Sequence, residues 1–259
     1  MKAKNALIIF LMILFVAATP ADAKKRQAAR RKAAPKRELV TRSEPKFIFD
    51  ALTTRTYTAK KGKSELKIEY PESGNPLLVD SLRAAIRDLS GIGSPDAASP
   101  EAGMKKWRAG LERGENNETE VKISLMNKHV ATVNLQSYIY FAGAAHGMPS
   151  DISRTLLIAD GRRLRADDLA PESQLRPLII QDLMEYFNVP TPGELRQNLF
   201  LENGLESLPI PDPYIIEGYV VFKYAPYEIA PYAAGMPSAE IPVGKIREIA
   251  YPGAQAFLQ

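Results

Sequence analysis

The 259-residue chain has no cysteine, two histidines and one tryptophan. Without cysteine there is no disulfide framework, thiol nucleophile, iron–sulfur cluster or Cys-ligated zinc. His129 and His146 are too few for a multi-histidine metal site. Also missing are a Gly-x-Ser-x-Gly elbow, a phosphate-binding glycine loop and a His-Glu-x-x-His helix. The carboxylates, Asp167-Asp168 included, are scattered without metal-ligand spacing, so no metal and no cofactor is expected. A composition of 45% hydrophobic and 25% charged residues excludes collagen and a wholly disordered chain.

Net positive charge is confined to one end. Ten of the 34 Lys and Arg residues lie in the first 37 positions, against a single acid, Asp22. From Glu38 onward 24 basic residues face 29 acidic ones, a net charge of −5. The pI near 9.1 therefore belongs to a tail. With no basic patch in the body, nucleic acid is not an expected partner.

That tail begins as an export signal. Lys2 and Lys4 precede a 13-residue apolar run, Ala6 to Ala18, and Ala21-Asp22-Ala23 places small residues where a signal peptidase reads them. The run falls short of the roughly 20 residues that span a bilayer. Residues 1–23 are expected to be removed after Ala23, leaving an exported (periplasmic or extracellular) chain without a transmembrane helix. Eight basic residues in Lys24–Arg37 resist translocation, so the competing expectation is an uncleaved anchor. Residues 24–45 read as a basic tether, a solvated linker or a segment that adheres to an anionic surface through 24–37.

The body has the periodicity of a packed domain. Leu66, Ile68 and Tyr70 alternate with Lys67 and Glu69 as a strand. Asn75-Pro76 and Ser99-Pro100 are cap-plus-proline helix starts. The first leads into Leu78, Leu82, Ala85, Ile86 and Leu89 with Gly91 to close it; the second carries Met104, Trp107 and Leu111 and ends at Gly114. Val121, Ile123 and Leu125 form a strand, and then Val133, Leu135, Ser137, Ile139 and Phe141 alternate with Thr132, Asn134, Gln136, Tyr138 and Tyr140. The first register is expected in a core. The second is expected on an open polar face unless another element covers it. Asp160-Gly161 predicts a hairpin turn, Ser173 a helix cap with Pro177 in the first turn, and Pro242–Ile249 a short helix. Leu208–Pro213 must be extended. The order predicts an α+β fold, an antiparallel sheet with helices on one face, in two coupled halves, 46–134 and 135–259.

Two segments stand out. Tyr138–Gly147 ends a strand in small residues around His146, and Tyr224–Gly235 sets Tyr227, Glu228 and Tyr232 between prolines. Tyrosine has a broad face and a polar tip, suited to stacking a sugar or anchoring a protein. Tyr138, Tyr140, His146, Tyr227, Glu228 and Tyr232 are therefore the candidate binding residues, with no residue assigned to catalysis. The plainer readings are a hydrogen-bonded structural histidine and a rigid Tyr-Pro corner.

Gly143-Ala-Ala-His-Gly147, the Leu156–Leu169 segment with Asp160-Gly161, and Tyr227-Glu-Ile-Ala-Pro-Tyr-Ala-Ala-Gly235 resemble an exported bacterial domain of unknown function. That domain is best known from the extracellular part of a lysozyme-sensing anti-sigma factor and the non-catalytic region of a peptidoglycan deacetylase. The resemblance covers roughly Ser137–Tyr251, with Lys46–Asn134 similar to its companion domain. Family members usually read Gly-Gly-Ala-His-Gly; Ala144 replaces the second glycine. The resemblance implies an envelope domain that binds a lysozyme-like protein or cell-wall glycan without catalysis of its own. No sigma-binding segment and no deacetylase motif is expected in these 259 residues, which limits what the resemblance implies. Two other functions remain open. One is a wall-polysaccharide enzyme with His146 as acid/base, assisted by Glu228 or Asp151; the other is a structural envelope protein.

Overall fold

The computed structural model describes residues 41–43, 46–47, 51–92 and 99–259, all within one compact unit, Glu38–Gln259. The export signal and the basic segment 24–37 lie outside the described residues. Of the described residues, β3 (Thr53–Lys61) and β4 (Ser64–Ser73) form a hairpin, edged by the short strands β1 (Thr41–Arg42) and β2 (Lys46–Phe47). Two helices follow, α1 (Pro76–Ser90) and α2 (Pro100–Gly110), and then the meander β5 (Asn116–Met126), β6 (Val130–Tyr140) and β7 (Met148–Leu157). The strands join in the order β1-β3-β4-β5-β6-β7, with β2 beside β3. The fold is α+β. Its sheet is antiparallel except where β5 pairs parallel to β4, a pairing that needs the helical crossover between them.

Local chemistry explains the helices. The Asn75 side chain accepts the Leu77 and Leu78 N–H groups, and Gly91 closes α1 at φ 62°. The Ser99 side chain accepts the Ala102 N–H. Leu78, Val79, Leu82, Ala85 and Ile86 bury one stripe of α1 against Leu66, Ile68, Val121, Ala131, Val133, Leu135 and Leu156. The second helix stops at Gly110, four residues before Gly114, and Leu111 is its C-cap.

Beyond β7 the chain builds a second layer. It contains α3 (Ala166–Leu169), α4 (Glu172–Tyr186), α5 (Pro192–Asn198), a three-stranded sheet β8 (Tyr214–Ile216), β9 (Tyr219–Lys223) and β10 (Ser238–Pro242), and α6 (Val243–Ile249). The predicted hairpin at Asp160-Gly161 is reduced to a turn with one bridge, Leu156 to Arg163. Pro171, not Ser173, caps α4, so Pro177 falls in its second turn. Leu175, Ile179 and Leu183 of α4 pack with Val220, Phe222 and Ile241, and this core also takes Val130 and Leu157 from the meander.

The meander is thus clamped at one end from both sides. Ala131, Val133 and Leu135 face α1, while Val130 and Thr132 face the second layer. Two expectations for β6 change. Thr132 and Asn134, on the register expected to be open, are buried. Ile139 is only half-buried, and Phe141 is 47% exposed, because the buried stripe of α1 reaches no further than Leu135.

One buried group sets a pH dependence. The Tyr57 hydroxyl donates to Glu72 (2.9 Å), which also accepts from Arg55 (2.7 Å). Burial first, and then the hydrogen bond to Glu72, pushes Tyr57 up to about 12. The Arg55 hydrogen bond holds Glu72 below its ordinary range. A raised tyrosine contributes stability that is complete below its unfolded value near 10 and is lost as pH climbs through about 12. The thermal midpoint is expected to fall above about pH 10. Tyr57→Phe should make that fall shallower without removing it, because burial also raises Tyr214 and Tyr224. Melts at pH 8 to 11 by circular dichroism check this; an unchanged slope in the variant refutes it.

Candidate functional site

Past Asn134, β6 emerges from beneath the second layer and its polar register opens to solvent. Gln136 and Tyr138 are exposed. Cross-strand register puts Glu118 opposite Tyr138, Glu120 opposite Gln136, and Asp151 on the other side of Gln136. On β4, Glu65 and Lys67 continue the same rows. These side chains floor an open groove of about 660 Å³, with Met236 of the second layer at its margin. Glu65 meets Lys60 and Lys67. Glu118 and Glu120 form no ion pair among the described residues, so their carboxylates remain available.

An aromatic rim stands at one end. Tyr232 stacks on His146, centroids 4.2 Å apart at 24°, and Tyr227 lies 5.5 Å from Tyr232. The Tyr232 hydroxyl donates to the Gly147 carbonyl (2.8 Å), which His146 Nδ1 also contacts (3.0 Å). A nitrogen facing a carbonyl must carry the proton, so in the neutral ring Nε2 is the acceptor. Gly147 ties rim to floor. A Cβ there would sit 2.2 Å from the Tyr138 ring, so Tyr138 lies directly on that peptide.

The backbone supports this arrangement with a strained residue. Tyr227 adopts φ 68°, a left-handed conformation uncommon for a bulky side chain. Its turn is held by the Glu228 N–H to the Ala225 carbonyl and by the Glu228 carboxylate accepting the Ala225 N–H (2.7 Å). In the other segment Gly143 takes φ 89° and Ala144 does not need a positive φ. Alanine therefore fits at position 144.

Four of the six candidates, Tyr138, His146, Tyr227 and Tyr232, come together. Glu228 shares the turn but spends its carboxylate on its own backbone. Tyr140 is elsewhere, beside a separate cavity of about 500 Å³ lined by Lys61–Ser64 and Leu111–Asn116.

Sequence reasoning missed a second feature. A cavity of about 220 Å³ lies between β7 and the segments 211–214 and 223–228. Asp151 sits at its junction with the groove, accepting from Asn134 (2.7 Å) and pairing with Lys223 (2.5 Å). Arg163 and Asp212 pair across it at 3.3 Å. Burial, and then the Asp151 charge, raises the Tyr214 hydroxyl. Lys223 ends the otherwise apolar strand Tyr219–Lys223, and that was the one signal available in the sequence. Its partner lies 72 positions away.

The layer that carries Tyr227 and Tyr232 has known relatives. Residues 163–244 match DUF3298, a family described as a protein of unknown function. The DUF3298 match spans most of the second layer but stops short of β6, His146 and the groove floor. It is narrower than the Ser137–Tyr251 stretch of the resemblance. Two solved structures share the fold: a DUF3298 family protein from Pseudomonas aeruginosa PAO1 and a DUF3298 family member from Bacteroides fragilis. The first is 19% identical, covering 79% of this chain and 96% of its own, with a TM-score of 0.56. The second is also 19% identical, covering 83% and 95%, with a TM-score of 0.57. No curated protein matches the chain. Among the described residues no helix is long and apolar enough to cross a membrane, and no group of three or more His, Asp or Glu could hold a metal ion.

Proposed function

We propose that this chain is an exported, non-enzymatic binding domain of the cell envelope whose groove takes peptidoglycan fragments. The stacked rim joined through Gly147 to a floor of unpaired carboxylates and an amide carries this reading. A sugar ring offers an apolar face that lies on aromatic rings and hydroxyls that donate to carboxylates. An enzyme is disfavoured by the partners of the carboxylates that would assist His146. Glu228 is bound to its own turn, and Asp151 is held by Asn134 and Lys223. A basic lysozyme-like protein is the second reading, favoured by the body's charge of −5 and by Glu118 and Glu120.

Titration of the mature chain with muropeptides and with lysozyme, scored for binding and for turnover, tests this. Tyr232→Ala is expected to weaken muropeptide binding about thirtyfold, the size of a hot-spot tyrosine, while Tyr140→Ala leaves it unchanged. Turnover abolished by His146→Ala would overturn the non-enzymatic reading. Lysozyme binding without muropeptide binding would move the site to the second reading. The export element is tested by mass spectrometry of the envelope fraction of cells that make the full chain, where a mature amino terminus at Lys24 is expected.

A further inference from the structure

Four consecutive residues of β7, Ser150 to Ser153, line the smaller cavity. Side chains of a strand alternate between faces, so a wall made of four in a row is the strand's edge. The hydrogen bonds identify which backbone groups point there. The Thr155 carbonyl accepts from the Leu164 N–H, and the Leu157 N–H donates to the Arg162 carbonyl, both away from β6. Stepping back by two along the strand, Ser153 and Asp151 turn their N–H and C=O groups the same way, into the cavity. Pro149 is next in that row and has no N–H to offer. Among the described residues β7 pairs with no strand but β6, and its outer edge is covered only from the Leu156–Arg163 bridge onward. The result is a window from Pro149 to Ser153, about 13 Å of edge, closed by a proline at one end and a turn at the other.

We infer that this cleft takes a short extended peptide, which pairs as an added strand with the backbone of Asp151 and Ser153. This rests on the peptidoglycan reading and deepens it: the occupant is the peptide carried on a muropeptide. The window's length and the cavity of about 220 Å³ suit a few residues, and a strand of a second copy would run into Pro149 and the Arg163 turn. Ser150, Asp151 and Met236 line both the groove and the cleft, so a sugar on the floor delivers its peptide to the edge without a gap. The walls, Pro211, Tyr214 and Pro226 with the paired Arg163–Asp212, are compatible with a small, weakly charged segment. Main-chain pairing supplies affinity, and the neighbouring pockets supply selectivity.

The test uses the mature chain with three probes: an N-acetylglucosamine tetramer, a free tetrapeptide of wall composition, and the intact muropeptide. The muropeptide is expected to bind at least about tenfold tighter than the sugar, and amide exchange at Asp151 and Ser153 should slow by about tenfold or more when it is bound. Ser153→Pro, at a residue that lines the cleft and not the groove, removes an outward N–H and should cancel the gain while leaving sugar binding intact. Ser153→Ala, which keeps the N–H, should retain the gain within about threefold. Equal loss in the two variants would assign recognition to the Ser153 hydroxyl and overturn strand addition. Sugar binding with no peptide increment, or a mass that rises with concentration through edge pairing of copies, would also overturn it while sparing the groove. If no probe binds, the peptidoglycan reading itself falls. Should Ser153→Pro fail to fold, the exchange of the Asp151 and Ser153 amides in the unaltered chain decides.

Discussion

Thr132→Val combined with Thr155→Val is expected to destabilise the fold by about 3 kcal/mol or more, with unfolding still a single transition. The two hydroxyls lie 2.7 Å apart in a fully buried position. Thr132 donates to the Ile215 carbonyl (2.8 Å), and the Ile215 N–H donates to Thr155 (2.8 Å). Because the Thr132 proton is committed to Ile215, Thr155 must donate to Thr132. The ring is closed, and every member is satisfied. Valine preserves shape but leaves the Ile215 N–H and C=O buried without partners, at roughly 1–3 kcal/mol each. Since these bonds join the meander to the second layer, urea denaturation followed by tyrosine fluorescence and by circular dichroism reads the coupling directly. A loss under about 0.5 kcal/mol, or two separate transitions in the unaltered chain, would refute this account of the join.

The second large effect reverses a familiar rule. In a helix interior, Gly→Ala ordinarily stabilises by about 1 kcal/mol. Gly103 is a buried position in α2, and a Cβ there would lie 2.5 Å from the Ile92 carbonyl oxygen. The obstacle is backbone, so it cannot rotate aside. Gly103→Ala is expected to cost about 1–3 kcal/mol, as overpacking does. Gly110, at the end of the same helix, has nothing within 4 Å of its Cβ site, and Gly110→Ala should be neutral or stabilising. Opposite shifts in melting temperature for the two variants are the expected result. A rise for both would mean that α2 does not abut the end of α1.

Tyr138 and Tyr140 define how far the site was readable beforehand. Alternation placed both on the same register, which is correct. It gave no indication that Tyr138 would rest on Gly147 and join the rim while Tyr140 faced a different cavity. Likewise the Tyr227–Tyr232 run was conspicuous, but Glu228 looked like a free carboxylate until the turn showed it bound to Ala225. Asp151 and Lys223 were each ordinary in sequence and became a pair only when the second layer packed on the meander.

The order of residues was enough for what is decided within a few positions: the caps at Asn75 and Ser99, the buried stripe of α1, the strands β5 and β6, and the short helix after Pro242. Each depends on bonds or periodicities that span one turn or one strand. Only the tertiary structure decided the parallel pairing of β4 with β5, the second layer over Val130 and Thr132, the half-exposure of Phe141, and the meeting of His146 with Tyr232. The physical reason is that alternation states which side chains share a face, whereas the cover on that face comes from chain scores of residues away. Ile215, which closes the buried ring, lies 83 positions from Thr132.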